Sequence, residues 1–233
     1  MKFDTLLNEL FPNGFQIEKE GSIVSGSAIC GNQRLALIGT VDHTLIGIDE
    51  IIRLSRIFLK IIKEQPGIPI LMLVDNNGQR MALREELLGL PEYIGHLAAV
   101  QDYARRNGHK VISLIYGNAV AGGFIAFGMG AQTRIYAVDG ASPYVMNLPA
   151  ISRVTKLPLE KLENLSRTIP VFAPGCNNFY KMGGLTDIWH GNLAACLETA
   201  LKEYSSIDSR AELGRQRGGR REAINTINAI INA

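Results

Sequence analysis

At 233 residues, 46% of them apolar, the chain has enough nonpolar material to bury the core of one domain, and its mean hydropathy of +0.08 is ordinary for a globular protein. Its 24 Lys and Arg oppose 22 Asp and Glu, and the formal charge of +2 gives no general electrostatic reason to expect nucleic acid or an anionic membrane as partner. Cys30, Cys176 and Cys196 are odd in number, far apart and without CxxC spacing, which suits a reducing cytoplasm and argues against a disulfide framework.

Met1 to Leu10 mixes Lys2, Asp4 and Glu9 with apolar residues, so it lacks the apolar core and cleavage site of a signal peptide, and a cytoplasmic location is expected. Short β-type runs follow at Phe15 to Ile17, Ser22 to Cys30 and Arg34 to Val41. Turn signals at Gly21 and Gly31-Asn32 separate them and predict an antiparallel meander. Ile48, Ile51, Ile52, Phe58, Leu59 and Ile62 then recur at helical spacing, predicting an amphipathic helix that ends near Pro66-Gly67. Ile68 to Val74 reads as a buried strand that delivers a polar loop, Asp75-Asn76-Asn77-Gly78. The next helix is expected from Glu92 to Asn107. It faces inward with Ile94, Leu97, Ala98, Gln101 and Ala104 and is stopped by Gly108.

No charge occurs from Val111 to Thr133, a run long enough to span a bilayer. Its β-branched first half, Val111 to Tyr116, and its Gly- and Ala-rich second half, divided by Gly117, Asn118 and Gly122-Gly123, instead predict a buried strand feeding a buried helix. A short β run at Arg134 to Val138 completes a strand–helix alternation that favours an α/β fold. Beyond Pro149 the chain is expected to be mostly helical, at Leu159 to Ser166, Asn177 to Met182 and Leu193 to Tyr204. Arg210, Arg215, Arg217, Arg220 and Arg221 precede Ile224, Ile227, Ile230 and Ile231, predicting a solvated helix that docks by its isoleucines.

Chemistry concentrates where the uncharged strand turns into its helix. The first turn of a helix leaves backbone N–H groups unpaired, and glycine, lacking Cβ, lets a substrate oxygen come close to them. Gly122 and Gly123 therefore stand where an oxyanion hole is built from backbone amides, although the same pair also serves simply to let helix and strand pack closely. If the amides bind substrate, a side chain at position 123 is expected to block the pocket more than it disturbs the fold.

The run Tyr116-Gly117-Asn118-Ala119-Val120-Ala121-Gly122-Gly123-Phe124-Ile125-Ala126-Phe127-Gly128-Met129-Gly130-Ala131, followed by Arg134-Ile135-Tyr136-Ala137, resembles the carboxyltransferase branch of the crotonase superfamily. The resemblance extends from about Ile68 to Asp187, through Pro69 to Asp75 and Met182-Gly183-Gly184-Leu185-Thr186-Asp187. Thr168 to Gly175 with Asn178-Phe179-Tyr180-Lys181 is similar to the gamma subunits of biotin-independent malonate decarboxylases.

That resemblance implies a single α/β domain over residues 1–233, of the ClpP/crotonase ββα superhelix type with a helical C-terminal segment. It implies a malonyl-thioester decarboxylase subunit in which Gly122 and Gly123 stabilise an enolate or carboxylate oxygen. It further implies a heterodimer with a homologous beta subunit and an acyl carrier protein that delivers the malonyl thioester on its CoA-derived prosthetic group. No cofactor on this chain and no biotin are expected. Two other readings stay open: a structural half whose glycines only pack, and a self-sufficient crotonase-type acyl-CoA enzyme.

Several residue types are missing from the pattern. The neighbours of the glycine pair are Ala, Val and Phe, so the turn holds no carboxylate base for a hydratase and no serine for a protease. His43, His96, His109 and His190 show no HxxxH or HxH spacing, and no metal site is expected; each reads as a surface or satisfied histidine. Glu85 and Glu86 read as a solvent-facing first helical turn, Gly128-Met129-Gly130 as no dinucleotide fingerprint, and Cys176 as a small buried residue.

Overall fold

The computed structural model describes residues 1–130, 134–219 and 221–233, without the side chains of Phe172 and Glu222. Helix α1 (Phe3–Leu10) precedes the meander β1 (Phe15–Glu20), β2 (Ile23–Cys30) and β3 (Gln33–Thr40). Pairing runs antiparallel from Phe15↔Ala28 to Glu20↔Ile23 and from Ile23↔Thr40 to Cys30↔Gln33. The left-handed backbone at Gly21 (φ 63°) and Gly31 (φ 57°) closes its two turns, as the sequence predicts. Helix α1 is an addition: Leu6, Leu7 and Leu10 are buried, and their spacing places them on one face.

A short strand, β4 (Thr44–Ile46), leads into α2 (Ile48–Glu64), which buries Ile51, Leu54, Phe58 and Ile61 at helical spacing. Strand β5 (Ile70–Gln79), helices α3 (Leu83–Leu87) and α4 (Leu90–Arg106), strand β6 (Val111–Val120) and helix α5 (Ala121–Ala126) follow. In α4 the inward positions Leu97, Gln101 and Ala104 are buried, Ile94 and Ala98 half-buried, and Gly108 follows at φ 85°. Next come β7 (Arg134–Val138), β8 (Ser142–Tyr144), α6 (Leu148–Thr155), α7 (Leu159–Thr168), α8 (Cys176–Lys181), β9 (Asp187–Trp189), α9 (Leu193–Lys202), α10 (Arg210–Gln216) and α11 (Ile224–Ile231).

The sheet runs β1-β2-β3-β5-β6-β7-β9, parallel from β3 onward. Its central strands β5 and β6 change partners along their length. Their first halves pair with β3 and β7, while their last residues pair with β4 (Thr44↔Asn76) and β8 (Asn118↔Ser142), across a register shift between Val74 and Asn76. The expected polar loop Asp75 to Gly78 is therefore strand, and so is the expected turn at Gly117-Asn118. Turn-type residues persist there because their polar groups find partners far along the chain: Asp75 N–H donates to Thr40 Oγ1, and Asp75 Oδ1 accepts from Asn118 N–H.

Two more expectations need correction. The buried helix after β6 spans only Ala121–Ala126, and Ala131 to Thr133 lie outside the described residues. The C-terminal isoleucines dock less than expected: Ile224 is half-buried, but Ile227, Ile230 and Ile231 are exposed on α11. Three of the arginines before them are engaged within the chain. Arg217 donates to the Tyr180, Leu185 and Thr186 carbonyls and lies over the Tyr180 ring, Arg215 pairs with Glu212, and Arg210 with Asp208. Arg220 lies outside the described residues.

Candidate functional site

Ala121 occupies the joint between β6 and α5 with φ 44°, a left-handed backbone that costs an L-residue roughly 1–2 kcal/mol. The strain turns the chain sharply at the end of the central strand, so that the first turn of α5 lies against the last residues of β5. Replacing Ala121 by glycine removes the Cβ penalty, and the melting temperature should rise by a few degrees; a fall would show that the turn is not strained.

The two glycines behave differently. Gly122 is half-buried, and its N–H donates to Gln79 Oε1 at 2.9 Å. A Cβ at 122 would meet the end of that same flexible side chain, at 2.8 Å from Oε1. Gly123 is buried, and a Cβ there would lie 2.6 Å from Asn76 Oδ1 and from the Gly78 carbonyl carbon. The expectation that a side chain at 123 blocks a pocket more than it disturbs the fold is thus reversed, because the space it needs is filled by the backbone of β5. Phe124, fully buried beside the pair, packs against Phe179 of α8 at 6.0 Å between ring centroids, an aromatic pair that contributes about 1 kcal/mol beyond its buried area.

The segment after Gln79 caps a second helix. Glu85, 1% exposed, accepts from Ile48 N–H at 2.8 Å through Oε2 and from Arg84 at 2.9 Å through Oε1. Glu50 reaches back to Gly47 N–H at 2.9 Å and meets Arg80 at 3.1 Å. Glu85 therefore does not face solvent: its carboxylate, with that of Glu50, satisfies the start of α2 across 37 residues of chain. Glu86 is exposed, as are Met81, Leu83 and Leu87 around it.

At the same end of the sheet, His43 lies between β3 and β4. Its Nδ1 is 2.6 Å from Asp75 Oδ1, and its N–H donates to Asp75 Oδ2 at 3.0 Å. Spacing along the chain gave no sign of this pair, since 32 residues separate its members. His190 pairs with Asp139 on the surface, His109 is buried with Nδ1 against the Ile68 carbonyl, and His96 is exposed.

Two cysteines are poor acids. Burial pushes the thiols of Cys30 and Cys176 up to about 11, which keeps both protonated and non-nucleophilic at neutral pH. Among the described residues no three His, Cys, Asp or Glu side chains cluster as a metal set, and no helix is long and apolar enough to cross a membrane. A largely apolar cavity of about 580 Å³ opens between Tyr144, Met146, Val171, Phe179 and Met182, with Arg210 at its edge. The hydrogen bonds from Arg210 hold the Asp208 carboxyl down at about 2.

Among solved structures, a Pseudomonas malonate decarboxylase hetero-tetramer in complex with coenzyme A matches with TM-score 0.77 and 21% identity, over 96% of this chain and 97% of that one. A Pseudomonas malonate decarboxylase MdcD-MdcE heterodimer matches with TM-score 0.75 and 23% identity, over 97% and 96%. Transcarboxylase 12S matches with TM-score 0.70 and 16% identity, over 86% and 40%. The fold is that of the crotonase-like carboxyltransferases. Malonyl-S-ACP:biotin-protein carboxyltransferase MADD of Malonomonas rubra is 29% identical over 225 residues, 87% of this chain and 76% of that protein. Residues 41–233 match the malonate decarboxylase gamma subunit, and the chain belongs to that family.

Proposed function

We infer that this chain is the gamma-type half of a malonyl-thioester decarboxylase, releasing carbon dioxide from a malonyl group on an acyl carrier protein and leaving an acetyl thioester. The observation that carries this reading is the family match over residues 41–233, on a fold whose central strand ends at an N–H held by an exchangeable acceptor. Loss of the carboxylate leaves a thioester enolate, whose charge backbone donors stabilise. In the resting chain Gln79 Oε1 occupies the Gly122 N–H. The enolate or carboxylate oxygen takes its place when that side chain turns away, with the Gly123 N–H adjacent in the same turn.

A homologous beta subunit completes the site as a heterodimer, in a cytoplasmic complex, and the whole chain acts as one carboxyltransferase-type domain. The exposed Met81, Leu83 and Leu87 near Gln79 support a partner on that side, and the hetero-oligomeric state of the Pseudomonas structures supports the heterodimer itself. The prosthetic group derived from coenzyme A belongs to the carrier protein, and this chain holds no cofactor. Incubated alone with malonyl carrier protein, the chain should give negligible carbon dioxide; with its homologous subunit it should turn over. Robust activity of the single chain removes the heteromeric reading.

The name of the Malonomonas rubra relative favours a second reading, transfer of the carboxyl group to a biotin protein. Avidin separates the two. Carbon dioxide release that persists in excess avidin supports direct decarboxylation without biotin, and its abolition supports transfer.

A further inference from the structure

The cavity of about 580 Å³ is of a size that takes small ligands, yet it offers almost no charge. Met129, Tyr144, Met146, Val171, Phe179 and Met182 supply much of its wall. Among the described residues that line it, Arg210 is the only cation and Asp208 the only anion. Those two are taken up with each other. Arg210 Nε donates to Asp208 Oδ1 at 2.8 Å and Nη2 to Oδ2 at 2.6 Å, and the Arg210 N–H adds a third bond to Oδ1 at 3.1 Å. A guanidinium held fork to fork by one carboxylate has no such grip left for a second. The arginine at the rim therefore brings no net charge to the cavity.

The walls of this cavity also touch the residues on either side of the glycine pair. Tyr144 lies on β8 in register with Val120, two residues before Gly122. Phe179 packs against Phe124, the residue after Gly123, at 6.0 Å between ring centroids. Met129 donates its N–H to the Phe124 carbonyl at 2.9 Å. In a malonyl thioester a single methylene carbon separates the carboxyl group from the thioester carbonyl, so a group held at the turn reaches these walls without further chain.

We propose that this cavity receives the malonyl carboxylate and then the carbon dioxide it becomes, and that Asp208 keeps Arg210 from holding the carboxylate as an ion pair; the assignment rests on the malonyl-thioester reading above. Among apolar walls a carboxylate loses hydration, which raises its free energy. In the transition state its charge moves through the methylene carbon to the thioester oxygen, and the departing group becomes a neutral molecule that apolar walls suit. The bond between the carboxyl and methylene carbons breaks, its electron pair enters the enolate, and carbon dioxide leaves uncharged. Water then gives the methyl group its third hydrogen and is left as hydroxide. A free guanidinium at the rim would act the other way, by stabilising the bound carboxylate more than the transition state. Asp208 is a positioning residue, since it acts through Arg210.

The test uses the chain assembled with its homologous subunit, with malonyl carrier protein as substrate. Asp208→Asn keeps the size of the side chain and an Oδ1 for the Arg210 N–H but removes the charge, so the guanidinium becomes available to the substrate. KM and kcat should both fall, each about three- to fivefold, with kcat/KM nearly constant, because the added contact is made in the ground state. Damage to the fold or to the assembly raises KM or lowers kcat/KM instead. Met146→Lys places an ammonium in the wall on an unbranched side chain and should give the same paired fall, so the test does not depend on one variant folding. Folded, assembled variants whose KM is unchanged or raised, or whose KM falls while kcat holds, overturn the proposal. If the wild-type complex releases no carbon dioxide, the malonyl-thioester reading fails and this assignment fails with it; normal wild-type turnover with KM unmoved in both variants removes the cavity assignment alone.

Discussion

Gly123→Val should lower the melting temperature by roughly 6–12 °C or more, before any question of activity arises. Its Cβ would stand 2.6 Å from Asn76 Oδ1 and the Gly78 carbonyl carbon and 2.7 Å from the Gly78 oxygen, and valine adds two methyl groups beyond that. Overpacking usually costs about 1–3 kcal/mol when side chains can give way. Here the obstruction is the backbone of β5, paired on both sides within the sheet, so the loss belongs at or above the top of that range. Against a typical total stability of about 5–15 kcal/mol, such a loss is severe. Gly122→Ala makes the comparison, since its Cβ meets only the end of Gln79 and should leave melting nearly unchanged. Equal melting of Gly123→Val and wild type would contradict the close approach of α5 to β5.

Replacing the amide of residue 122 by an ester, which deletes the N–H without adding a side chain, should reduce kcat of the assembled complex about 10²- to 10³-fold. Such a loss is usual when one oxyanion donor is removed, and kcat/KM should fall equally if the contact is made only in the transition state. Stability should drop by only about 1 kcal/mol, the worth of the hydrogen bond to Gln79. Gln79→Ala provides the control: it empties the acceptor position and keeps the N–H, so kcat should hold. An ester variant that turns over normally would leave Gly122 with a structural role alone.

Local signals carried much of the fold. Turn signals at Gly21 and Gly31-Asn32 mark β2 at both ends, and the apolar spacing from Ile48 onward marks α2, whose pattern is set by one buried face. Both glycines of the candidate site were legible for the same kind of reason, a strand-to-helix change written in composition. What stayed hidden is held together over long separations. Asp75 to Gly78 has the residues of a turn yet forms strand, since β4 pairs with it and Thr40 and Asn118 satisfy its polar groups. Glu85 looks like any acidic residue in a first helical turn until Ile48, 37 positions earlier, is seen to donate to it. His43 carries no signal without Asp75. The isoleucines of α11 mislead in the opposite direction, since their spacing is helical but Ile227, Ile230 and Ile231 stay exposed.

The order of strands in the sheet has a consequence for synthesis. β7, ending at Val138, pairs on its outer side with β9, which begins at Asp187. At ribosomal rates of about 5–20 residues per second, the outer edge of β7 leaves the ribosome roughly 3–10 s before the strand that covers it. During that interval the nascent chain presents the row of unpaired backbone groups along Arg134–Val138 to whatever lies nearby. Truncations before Asp187 should therefore aggregate, and the cell has reason to shield this chain until its last strand is made.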